Sequence, residues 1–198
     1  GLAAHGDLLR ALYACADRYF VFAREILLLS PALGALTALG AAVVGLRERE
    51  PVAAALAFLT HIIAVTEKLQ AEDEAAQRQR LEAAMAADGE KLVRALLHAA
   101  ADSCPRQLAR PLAGAMWALL HSPVFGGAAS AWLAGAMQGH EFRELCGGAM
   151  SEEEAGRFCT LLLRRPPLPR ARFDALVADL SGVLRGEASA DVVLAYEM

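Results

Sequence analysis

No stretch of this chain alternates apolar and polar residues in the way a half-buried strand must. Apolar residues instead recur three and four positions apart in runs of roughly 12 to 20 residues, each closed by Pro or Gly. Such runs form helices with one apolar stripe, and a stripe of this kind is buried only by packing on another helix. Ala and Leu supply most of a hydrophobic fraction of 56%, whereas aromatics make up 6%, so the composition favours close helix packing over a sheet. The expected fold is all-α, an α-solenoid of stacked antiparallel helix pairs, with residues 1–198 forming one segment.

The pattern places helices in order. Asp7 is the expected N-cap of the first, whose stripe is Leu8, Leu12, Cys15 or Ala16, and Tyr19. A short second segment runs from Ala23 to Leu29, stops before Pro31, and gives way to a helix from Ala32 to Leu46. Arg47 to Glu50 is a charged turn, and Pro51 is expected to open the helix that buries Val52, Leu56, Leu59, Ile62 and Ile63. Residues 67–80 are rich in charge and are expected to form a solvated linker between repeats that runs into a helix start. Leu81 to Ala101 is helical, with a break or bend at Asp88-Gly89.

A further helix spans Pro105 to Leu120 and ends at His121-Ser122-Pro123, and the next carries Trp132, Leu133 and Met137. Trp117 and Trp132 are expected to be anchors packed between helices. Residues 139–150 contain several glycines and are expected to form an irregular loop. Ser151 with Glu152, Glu153 and Glu154 forms a capping box for a helix reaching Arg165. The stiff connector Pro166 to Pro169 leads to a final helix carrying Phe173, Leu176, Val177, Leu180 and Leu184. Ala188 to Met198 either extends it raggedly or frays.

Several chemistries find no support. Cys15, Cys104, Cys146 and Cys159 lie far apart, without CxxC pairs, and are expected as small core hydrophobes. His5, His61, His98, His121 and His140 have no metal-ligand spacing. No nucleophile elbow or phosphate loop occurs, so neither catalysis nor a cofactor is expected. A net charge of -4 argues against direct nucleic-acid binding. The 21 uncharged residues from Ile26 to Leu46 could span a bilayer, yet Pro31 interrupts them and three glycines dilute them, so a core helix is expected and no membrane contact.

One charged feature could serve binding. Arg157, Arg164, Arg165, Arg170 and Arg172 form a stretch without acidic residues between Ala155 and Phe173, suited to an acidic or phosphorylated partner. The plain alternative is an exposed helix end and its linker. The PxxP at 166–169 is readable either as a polyproline ligand or as a rigid connector.

In order and spacing, these blocks resemble the C-terminal HEAT-type repeats of the importin-β superfamily, in the branch of transportin-SR, its plant counterparts and the related two-way importin. Asp7-Leu8-Leu9-Arg10 with Ala14, Arg18-Tyr19-Phe20 and a short segment ending at Leu29-Ser30 resembles a helix with a crossing segment. Pro51 through Ile63 resembles the family's helix with a Phe-Leu core pair. Asp88-Gly89 through His98, then Trp117, Trp132 and Leu133, resembles its closing repeats. Residues 7 to 185 are covered, by apolar pattern rather than by any single diagnostic motif.

The resemblance implies a HEAT/armadillo-like superhelix and a nuclear transport receptor, or karyopherin, moving between nucleus and cytoplasm. It implies import of protein cargo, Arg/Ser-rich splicing factors among them. Ran GTPase and FG nucleoporins would be partners of the full-length receptor, of which this chain would be a C-terminal fragment. The Ran-binding repeats and the arginine-rich cargo helix would lie upstream, so no cargo residue is transferred to this chain. An uncapped end would leave the fragment prone to self-association. The alternatives from the residues alone are a generic α-solenoid scaffold for protein partners, or a membrane hairpin formed by Ile26–Leu46 and Pro51–Val65.

Overall fold

A computed structural model describes residues 1–197. It is all-α, with no strand among the described residues. Ten α-helices follow one another: α1 (Gly6–Phe22), α2 (Arg24–Leu29), α3 (Ala32–Val44), α4 (Arg49–Val65), α5 (Ala75–His98), α6 (Ala109–Leu120), α7 (Gly126–Gln138), α8 (His140–Cys146), α9 (Glu152–Leu162) and α10 (Arg170–Leu184). They stack in two layers. In one, α4 packs between α1 and α6, and α10 follows against α6; in the other, α5 packs between α3 and α7, and α9 follows against α7. The core runs between the layers as one continuous apolar seam.

The sequence pattern explains most of this stack. Alternate turns of α4 bury Val52, Leu56, Leu59, Ile62 and Ile63 completely, as their spacing requires. Pro51 lies in the first turn of α4, where a missing N–H costs no hydrogen bond. The long apolar run divides at Ser30-Pro31, and α3 buries Leu33, Leu36, Val43 and Val44. The segment Arg49–Lys68 is long and apolar enough to cross a membrane, with 56% of its apolar window buried between neighbouring helices.

Tyr13, fully buried on α1, donates its hydroxyl to the Leu36 carbonyl at 2.8 Å and joins the layers. Desolvation raises its pKa above the ordinary phenol value.

Several expectations change. Asp7 is inside the first turn of α1 rather than its N-cap, which is His5. On α1 it is Leu9, Tyr13 and Ala16 that face inward, while Leu8, Leu12, Cys15 and Tyr19 are exposed, because two apolar stripes lie side by side and only one has a neighbour. The charged segment 67–80 is only partly a linker. Two short 3-10 turns, Thr66–Lys68 and Glu72–Glu74, lead into α5, which starts at Ala75 and whose Arg78 donates back to the Leu69 carbonyl.

Asp88-Gly89 does not break α5, which is helical throughout. A Cβ on Gly89 would stand 2.4 Å from the Trp132 ring, so the glycine admits the indole rather than bending the backbone. Finally, 139–150 contains α8, which ends where Gly147 turns left-handed at φ 54° and Gly148 follows at φ 85°.

The C-terminal residues up to Glu197 do not fray, Met198 lying outside the described residues. Ala190–Tyr196 forms a 3-10 turn that buries Val193, and the Tyr196 hydroxyl donates to Asp179 of α10 at 2.5 Å. A separate fastening closes α5. The carbonyls of Ala99, Ala100 and Cys104, in and just past the π turn Ala99–Ser103 that follows α5, accept from α10 and its C-cap. Ser181 Oγ donates to Ala100, and the Arg185 guanidinium donates to Ala99, Ala100 and Cys104.

Candidate interaction surfaces

The five arginines singled out in the sequence do not form one patch. Arg157 on α9 pairs with Glu153 at 2.8 Å and with Glu197 at 3.3 Å. Arg165 donates to the Leu120 carbonyl at 2.8 Å and so closes the end of α6. Arg170 pairs with Asp174 at 2.8 Å and lies 5.4 Å above the Trp117 ring. Arg172 donates to the Ala195 carbonyl at 2.9 Å and lies 5.7 Å above the Tyr196 ring, holding the C-terminal turn. Arg164 alone of the five is exposed without a polar partner among the described residues.

The connector between these arginines is anchored at its middle, since Leu168 is buried in the core while Pro166, Pro167 and Pro169 are exposed.

Both tryptophans pack between helices and are half-buried. Trp117 stacks on His121 with centroids 4.0 Å apart and meets the edge of Phe173 at 5.0 Å. Burial holds the His121 pKa below its ordinary value, with help from the Arg165 and Arg170 charges and against a hydrogen bond to the Trp117 carbonyl.

Arg164 and Arg165 also stand at one end of an open cleft of about 1240 Å³ between α7, α8 and α9. Buried Met137, Phe142, Cys146 and Met150 form its floor, and half-buried Cys159 and Leu163 its α9 wall. Glu152, Ala155, Gly156, Cys159 and Thr160 of α9, with its C-cap Leu163, line it at helical spacing, so one face of α9 is turned to the cleft. At the opposite end Arg143 pairs with Glu152 at 3.0 Å. No pattern in the sequence pointed to this cleft, because its lining is shared between two helices and a turn expected to be loop.

The cysteines divide. Cys104 and Cys146 are buried as expected, Cys159 is half-buried, and Cys15 is exposed. Burial pushes the Cys104 thiol up to about 11. Cys15 belongs to a second open surface, the outer stripe of α1 and α2. There Leu8, Tyr19, Val21, Phe22 and Ile26 are exposed, Phe22 by 85%. On α1, residues 8, 12, 15, 19 and 22 alternate steps of four and three, the spacing of a seam made for another helix.

Two layers of stacked helices with open apolar flanks make this a helical-repeat fold. Residues 44–123, from the end of α3 through α6, match the family model of the importin 13 repeat, which is less than half of the chain. The match supports an importin-β-type repeat, in a family of transport receptors rather than enzymes. Among curated proteins, none matches the chain significantly.

Proposed function

We propose that the chain is the C-terminal part of a nuclear transport receptor of the importin-β superfamily, in the branch resembling transportin-SR. The full-length receptor carries protein cargo, Arg/Ser-rich splicing factors among them, from cytoplasm to nucleus. It answers to Ran GTPase and passes FG nucleoporins. The observation that supports this most is that the importin 13 repeat match falls on α4 to α6, the most regular part of the stack. The outer stripe of α1 and α2 also suits the reading. Solenoid repeats are stabilised by their neighbours, so this stripe receives the flank of a preceding helix pair. In the isolated chain it pairs with a second copy.

The test is a pull-down with Ran carrying a non-hydrolysable GTP analogue. The isolated chain is expected not to bind and to self-associate with concentration, whereas the complete gene product binds in a nucleotide-dependent way. Robust nucleotide-dependent binding by the isolated chain would overturn its placement in the C-terminal arch. A complete product that ignores Ran in both nucleotide states would replace the receptor with a general scaffold.

A further inference from the structure

We propose that the cleft along α9 is a docking groove for an amphipathic helix of another protein. That helix lies antiparallel to α9, with an apolar face toward the cleft floor and carboxylates in its first turn over Arg164 and Arg165. The transport reading is not needed for this surface.

Size and shape argue for a helix rather than a metabolite. The cleft volume of about 1240 Å³ lies above the roughly 300–1,000 Å³ typical of small-molecule pockets. From Glu152 to Leu163 the open face of α9 covers about three turns. Ala155, Gly156, Cys159 and Thr160 are small, so a second helix backbone can approach closely. The floor mixes Met137 and Met150 with Phe142, and unbranched thioethers adapt their shape to an incoming apolar side chain. Glu197, which follows the 3-10 turn Ala190–Tyr196, lies at the edge of the cleft and is held by Arg157.

Charge sets the orientation. At the α9 N-terminal end the Arg143 charge is met by Glu152. At the other end Arg164 has no acceptor among the described residues, and Arg165 gives one hydrogen bond to a neutral carbonyl. The helix dipole of α9 contributes about half a negative charge there, which offsets only part of two guanidinium charges. Carboxylates at the N-terminus of the incoming helix answer that excess and also suit the helix's own dipole.

The experiment uses a fluorescein-labelled peptide of about three turns, with Leu at i, i+3, i+4 and i+7 and a glutamate pair in its first turn, and a twin with lysines in place of the glutamates. The wild-type chain is expected to bind the glutamate peptide at least about tenfold more tightly than the twin. Arg164→Glu should erase that preference. Thr160→Trp places an indole in the groove from an exposed position and should abolish binding while the thermal melt is unchanged. Equal affinity for the two peptides, no saturable binding by the wild type, or binding that survives Thr160→Trp would each overturn the proposal. Survival would place the peptide on the outer stripe of α1 instead. Should the tryptophan variant misfold, the Arg164→Glu comparison still decides.

Discussion

From α1 to α7 the chain moves between the two layers as it proceeds from repeat to repeat, whereas from α7 to α9 it remains in one layer and only then crosses to α10. The difference has a structural cost. Alternation lets short turns deliver each helix beside the one two steps back, so both flanks are covered. Staying in one layer needs a spacer, α8, and a reversal through the left-handed Gly147 and Gly148. The spacer leaves one face of α9 open, so the cleft arises where the regular order ends. The importin 13 repeat match stops at residue 123, before that change.

If the closing part is welded to the regular part, breaking their joint should unfold both together. The joint centres on Trp117 of α6 against Phe173 of α10. Trp117→Ala should cost about 3 kcal/mol, toward the lower end for a large aromatic because the ring is half-buried. A single cooperative melt at lower temperature is expected by calorimetry. Two separate transitions would show instead that α8 to α10 fold as an independent unit.

A second weld is polar. Arg185 supplies donors to three carbonyls just past the end of α5; Ala99 also accepts from the Cys104 N–H and Ala100 from Ser181, so it is the Cys104 carbonyl that depends on Arg185. Arg185→Ala should cost about 2 kcal/mol, since the buried Cys104 carbonyl then loses its partner. Hydrogen exchange should rise first around Ala99 to Cys104. Unchanged protection there would mean that water satisfies these groups equally well.

What the sequence made legible follows from range. Stripes on α4 and α6 and the Ser151 capping box depend on residues within a few positions, and they appear as expected, Ser151 Oγ accepting from the Glu154 N–H at 3.2 Å. The choice between the two stripes of α1 was not local, because it depends on which neighbour exists. Nor was the role of Arg185, whose partners lie some 80 residues away. The arginine stretch was visible as composition, but its dispersal among Glu197, Leu120 and Ala195 depends on a C-terminal turn whose docking no periodicity shows.

Gly89 gives a test in which the sign alone decides. Were it merely a flexible point in α5, Gly89→Ala would stabilise the helix by up to about 1 kcal/mol. The close approach of Trp132 requires the opposite, a loss of about 1 to 2 kcal/mol from overpacking. In a Trp132→Ala background the same substitution should become neutral or favourable, as measured by denaturant midpoints at constant slope. Stabilisation in the wild-type background would remove the indole from the α5 to α7 contact.

The smallest expected effect is a pH dependence confined to the joint. The ring of His121 faces Trp117, Phe173, Arg165 and Arg170, and burial with the two cationic neighbours keeps it neutral where an unfolded histidine would be protonated. Between the unfolded value near 6.5 and the lower folded one, the unfolded chain therefore binds more protons. Stability should be fully present above the unfolded value and decline as pH falls through that window. The slope should be shallow, since a half-buried ring is partly screened by solvent. His121→Gln should flatten this part of the curve of melting temperature against pH. An equal slope in the His121 variant would assign the acid sensitivity to carboxylates elsewhere in the regular stack and remove the joint as the weak point.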